Sequence, residues 1–222
     1  MKVFNFILFL IITSITVSCS NNDDIVFSCD ESINQWAKDN LSNLRLMTRS
    51  AWIQLDNNKK KAAYRAFSQE QKIQFWKDKI CEVKSLDWSE KEIKHIEELE
   101  NFITNNPDIF AGHRLTDAQA NKIDSFFYLW QNSAIEKLGW STGICIAIAG
   151  SGDKILNKYE EIYSRAIIIE EPGDDTPPEE NCHCNQTYDF CHPNAWCGES
   201  NCNESSSGCG WLLLSSCNGR CK

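Results

Sequence analysis

The chain is short of positive charge: 22 Lys and Arg stand against 31 Asp and Glu in 222 residues, a formal net charge of −9. Nucleic-acid binding needs Lys and Arg clustered against phosphate, and here they are scattered among more numerous acids. That class is excluded, as is a cationic membrane-lytic peptide for the chain as a whole. The residues that build active sites are also scarce. Of four histidines only His95 and His113 precede the cysteine-rich end. His95, in Glu92-Ile-Lys-His-Ile-Glu97, reads as a solvated side chain on a charged helix face, and His113, in Ala111-Gly-His-Arg-Leu115, reads as a loop residue. Neither belongs to a nucleophile or metal motif. The carboxylates, interleaved with lysines, read as surface charge, and Gly150-Ser-Gly152 lacks the rest of a phosphate loop. The expectation is no enzyme and no cofactor.

The N-terminal apolar run, Val3 to Val17 behind Lys2, is about 15 residues, too short for a lasting membrane span. Residues 1–18 read as a signal peptide. Thr16-Val17-Ser18-Cys19 resembles a bacterial lipobox, with Thr16 where leucine is usual, so Cys19 is the candidate lipidation site. Residues 19–28, opening with Ser20-Asn21-Asn22-Asp23-Asp24, form a polar acidic tether of the kind that resembles a surface-export signal. The alternative is ordinary secretion, with Cys19 one more disulfide cysteine. Both routes lead to an oxidising compartment, where disulfides are permitted. The expected location is the outer membrane or cell surface, through a lipid anchor.

Twelve cysteines are unevenly placed. Cys19, Cys29, Cys81 and Cys145 are spread over the first 181 residues, and eight fall in residues 182–222. Between them, residues 29–168 read as an all-α body. Ile33, Ala37, Leu41 and Leu44 line one face of a helix starting near Asp30. Ser68 with Gln71, Ser89 with Glu92 and Thr116 with Gln119 are capping boxes, each followed by apolar residues at helical spacing. Pro107 and Gly139 end helices, and a further helix is predicted from Asp153 through Ile155, Tyr159, Ile162 and Ala166. The run Gly143-Ile-Cys-Ile-Ala-Ile-Ala-Gly150 is buried, as helix or strand, with Cys145 a packed thiol. Cys29 and Cys81 are candidates for an extra bridge across two helices.

Residues 169–181 contain six acids, three prolines and no base, which makes an extended, protease-accessible linker. Beyond it lie Cys182, Cys184, Cys191, Cys197, Cys202, Cys209, Cys217 and Cys221. Only eight other apolar side chains accompany them, too few for a 41-residue fold without staples. Four internal disulfides, at roughly 2–4 kcal/mol each, would supply the stability, with the pairing open among many. Zinc at Cys182-His-Cys184 and Cys191-His192 fits poorly, because the single-residue gap is not a usual ligand spacing. Trp211, Leu212, Leu213 and Leu214 form an apolar patch too large to hide in so small a fold, and hence a candidate contact surface. The alternative is that they form a miniature core.

These features together resemble a family. The lipoprotein-like leader, Tyr64-Arg65-Ala66-Phe67-Ser68 leading into Phe75-Trp76-Lys77-Asp78-Lys79, Gly208-Cys-Gly and Cys217-Asn-Gly-Arg-Cys221 look like the fulvocin C-related, bacteriocin-like lipoproteins. The resemblance implies an antibacterial region at the end of a larger precursor, with the tail cysteines as structural disulfides. The expected partners are an envelope component or receptor of a target bacterium and a cognate immunity protein. Cleavage in the linker would release the tail. The alternative is a non-toxic surface adhesion protein displaying a cysteine-rich knob.

Overall fold

The computed structural model describes residues 25–112, 114–159, 162–163, 184–188, 190–191, 196–200 and 207–221. Its body is all-α, and its C-terminal region is small, disulfide-rich and loop-dominated. Among the described residues the helices are α1 (Glu31–Asp39), α2 (Leu41–Leu44), α3 (Arg49–Trp52), α4 (Asn57–Ala66), α5 (Gln69–Lys84), α6 (Glu90–Asn105), α7 (Asp117–Ser133) and α8 (Thr142–Ala149). Two antiparallel ribbons pair β1 (Lys154–Ile155) with β2 (Ile162–Tyr163) and β3 (Cys197–Glu199) with β4 (Gly219–Cys221). No helix among the described residues is long and apolar enough to cross a membrane.

All three capping boxes form. Ser68, Ser89 and Thr116 each accept from a backbone N–H three residues on, while Gln71, Glu92 and Gln119 reach back to the cap N–H. Each box satisfies two orphan donors, and a cap of this kind is worth about 1 kcal/mol. α7 runs through a π turn, Ala134–Leu138, to Gly139, whose φ of +70° is the left-handed end position that glycine takes without a Cβ penalty. Pro107 opens a 3-10 turn, Pro107–Phe110, directly after α6.

Three local expectations change, and the one left open between helix and strand is decided. The first predicted helix breaks at Asn40, whose side-chain Nδ2 donates to the Trp36 carbonyl at 2.8 Å and separates α1 from α2. The run from Gly143 is helical, capped by Ser141, with Cys145 buried inside it. The segment predicted as helix from Asp153 is instead β1, a turn and β2. Its would-be helix start is occupied elsewhere: Asp153 meets Lys60 at 2.5 Å, and the Ile155 N–H donates to Glu82 at 3.2 Å. His95 is not solvated but 5% exposed. Its ring stacks on Trp130 at 5.0 Å, its Nε2 meets the Trp130 carbonyl at 2.9 Å, and Trp130 Nε1 donates to the His95 carbonyl at 3.0 Å. His113 lies outside the described residues.

α5 is the central helix, packing on α3, α6 and α8 with Phe75, Trp76, Ile80 and Val83 buried. It also carries charge inward. Arg49 on α3 forks onto Glu82 at 3.0 and 3.2 Å, Lys60 on α4 meets Asp153, and Lys79 donates to the Asp153 carbonyl. Lys79 is wholly buried, and that desolvation, with Arg49 nearby, pulls its ammonium down to about 7. In the unfolded chain a lysine titrates near 10.4, so between about pH 7 and 10 the unfolded state holds the extra proton. Raising the pH then favours the fold by up to about 1.4 kcal/mol per unit for this group. The urea midpoint should climb between about pH 7 and 9.5, and less steeply in Lys79→Met. Equal slopes in the two proteins would show that Lys79 does not carry the effect.

Candidate functional site

The loop Trp211–Leu214 is where the tail meets the body, and local bonding shapes it first. Cys209 bridges Cys217, and the Cys209 and Ser215 backbones exchange N–H bonds at 3.0 and 2.8 Å. Gly210 turns the chain at φ +69°, where a Cβ would approach Ser215 Oγ to 2.7 Å. Leu212 and Leu213 follow at φ 52° and 54°, left-handed positions that cost leucine roughly 1–2 kcal/mol each.

The body offsets that strain. Trp211 stacks face to face on Phe127 at 4.6 Å, with Phe190 edge-on at 4.7 Å. Leu212 is 0% exposed, and its carbonyl accepts from Tyr64 Oη at 3.0 Å and Trp76 Nε1 at 3.1 Å. Burial pushes the Tyr64 phenol up from its ordinary value, so it stays protonated and able to donate. Arg65 holds three segments at once: Nε donates to the Ser207 carbonyl at 2.7 Å, Nη1 to the Phe27 carbonyl at 2.6 Å, and Nη2 to Cys217 Sγ at 3.3 Å. Lys61 Nζ stands 3.6 Å from Cys209 Sγ, and Tyr188 donates to Asp124 on α7.

Trp211, Leu212, Leu213 and Leu214 are therefore buried in the body's own core cluster and offer no exposed patch. The expectation of exposure set eight apolar residues against a 41-residue tail and omitted the body as a packing partner. Tyr64, Arg65 and Trp76 build the seat, although periodicity places Trp76 only on the apolar face of its helix and leaves Tyr64 and Arg65 without a role. Their signal was chemical, because a buried Tyr Oη or Trp Nε1 requires an acceptor.

The described cysteines give three bridges: Cys184–Cys197, Cys191–Cys221 and Cys209–Cys217. The first two clasp the β3–β4 ribbon, whose register sets Cys197 opposite Cys221. Cys29 is also disulfide-bonded and packs against Cys209–Cys217, whereas Cys81 is a free, exposed thiol. The bridge expected between Cys29 and Cys81 is thus not formed, since Cys81 faces solvent while Cys29 turns toward the tail. Cys19, Cys182, Cys202, the tether as far as Asp24 and the linker 169–181 lie outside the described residues. The sulfurs of Cys184, Cys191 and Cys197 lie within 4.8 Å of one another. In the oxidised protein all three are in disulfides, and zinc is held by thiolates. No protein-family model, curated protein or solved structure matches the chain.

Proposed function

We propose that this is a non-enzymatic, exported bacterial lipoprotein, anchored through Cys19, whose cysteine-rich tail is a bacteriocin-like element held inactive by its own helical body. The observation that carries this reading is the burial of Trp211–Leu214 against Tyr64, Trp76 and Phe127, at the end of a chain with an acidic, proline-rich linker. Seated, the loop is inert; freed, it is an apolar surface stapled by Cys209–Cys217 that could engage an envelope component or receptor of a competing cell. The resemblance to fulvocin C-related lipoproteins points the same way.

A second reading, a non-toxic surface adhesion protein, is favoured by Trp196. It is 61% exposed and is the one exposed aromatic among the described tail residues, so an intact chain would present it to a partner. The test places a specific protease site in residues 169–181 of the oxidised protein and compares cut and uncut forms on a panel of related bacteria. Growth inhibition by the cut form alone is expected. Inactivity of both forms, with the uncut protein binding cells, would favour adhesion.

A further inference from the structure

The two bridges that clasp the β3–β4 ribbon also bring their sulfurs together. Cys184 is bonded to Cys197, and Sγ of Cys191, from the Cys191–Cys221 bridge, lies within 4.8 Å of both sulfurs of that pair. Cys221 is bonded to Cys191 and stands opposite Cys197 in the ribbon's register, so four sulfurs gather at one end of it. Backbone pairing helps to hold three of the four in place without the disulfides. Cys197 and Cys221 lie on the paired strands, and Cys184 and Gly219 exchange N–H bonds at 3.1 Å in both directions. Beside them, Asn185 Nδ2 donates to the Ser216 carbonyl at 2.8 Å. Gly219 leaves the room that the sulfurs occupy: a Cβ there would stand 2.5 Å from Cys197 Sγ and 3.2 Å from Cys184 Sγ.

We propose that, once these two bridges are reduced, Cys184, Cys191, Cys197 and Cys221 form a four-thiolate site for a zinc ion. Zinc binds thiolates at about 2.3 Å in a tetrahedron, whose sulfurs are then about 3.8 Å apart. Cys191 Sγ is already within about 1 Å of that separation from Cys184 and Cys197. Cα atoms of directly opposite residues in an antiparallel pair are about 4.5–5.5 Å apart, so Cys197 and Cys221 can reach one ion. This set spans three segments of the tail and differs from the Cys182-His-Cys184 run, whose spacing suits zinc poorly. A dithiol delivers two electrons and two protons to each bridge and becomes its own disulfide. The zinc ion then displaces the four thiol protons to solvent. Before oxidation the chain carries these residues as thiols, so zinc and the two disulfides are alternative clasps for one ribbon. The third bridge is set apart from this chemistry by burial, since Cys191 and Cys197 are partly exposed and Cys221 exposed, whereas Cys209 and Cys217 are both buried.

The test reduces the full chain with a phosphine under nitrogen, then titrates it with cobalt(II), whose absorption reports its ligands, and afterwards with zinc. The phosphine takes oxygen from water to become its oxide and leaves two thiols per bridge. The expected result is the absorption of tetrahedral four-sulfur cobalt, saturating at one ion per chain and bleached by zinc. It should be lost in Cys184→Ser/Cys197→Ser and kept in Cys209→Ser/Cys217→Ser. No sulfur-to-cobalt absorption, or equal spectra in the two variants, would overturn the site. Should the variants fail to fold, the unaltered chain decides the matter through alkylation after reduction and zinc loading, with each cysteine read by mass spectrometry. Zinc-dependent protection of Cys184, Cys191, Cys197 and Cys221, with the exposed thiol of Cys81 still reactive, supports the proposal. Protection of a different set, or of none, refutes it.

Discussion

Leu212→Asp is expected to unfold the entire protein at 25 °C, helical body included, although the substitution lies ten residues from the C-terminus. Leu212 is completely buried in the cluster that includes Tyr64, Phe75, Trp76 and Phe127. Truncating such a leucine to alanine costs about 2–5 kcal/mol through lost transfer energy and the cavity left behind. A carboxylate in place of that apolar side chain adds the cost of desolvating a charge, several kcal/mol more. A domain's whole stability is about 5–15 kcal/mol, so little or none remains. Far-ultraviolet circular dichroism would report the loss of helix. Leu212→Ala gives the graded version, a urea midpoint lowered in one cooperative transition. Body unfolding that is unchanged by Leu212→Ala would mean that the tail's seat contributes nothing to the body.

Full reduction is expected to rank close behind. Chain-entropy arithmetic gives the bridges spanning 8, 13 and 30 residues about 2.5, 2.9 and 3.6 kcal/mol, an upper figure because the loops overlap. Losing all three removes an amount comparable with total stability. The strain at Leu212 and Leu213 then has less to hold it, and the loop should leave its seat. Loss of near-ultraviolet signal from Trp76, Trp130 and Trp211, with new binding of an apolar dye, would mark the change. The order of reduction follows burial. Cys191 is partly exposed and Cys221 exposed, so that pair should be alkylated first, and Cys209–Cys217, buried at both ends, last. An unchanged tryptophan signal after complete alkylation would show that packing alone holds the loop.

The helical frame was legible wherever the signal was local. A serine or threonine followed three residues on by glutamine or glutamate meets its own partners, so α5, α6 and α7 could be placed from those residues alone. The misplaced helix from Asp153 had the right spacing of Ile155, Tyr159 and Ile162, but the competing partners, Lys60 and Glu82, come from segments about 70 to 95 residues earlier. His95 failed for a similar reason. Its neighbours in sequence are charged, while the groups that bury it, Trp130 and Trp140, arrive from α7 and the segment beyond.

By itself the sequence determined a helical body and a C-terminal region in need of disulfides, because periodicity, end-capping and cysteine density act over a few residues. Only the tertiary structure decided which cysteines pair and where Trp211–Leu214 go. Pairing depends on the approach of Cβ atoms across the β3–β4 ribbon, and two left-handed leucines persist only because distant side chains compensate for them. The tail's most apolar segment is, in the folded protein, part of the body's core, because hydrophobic burial follows proximity in space rather than position in the chain.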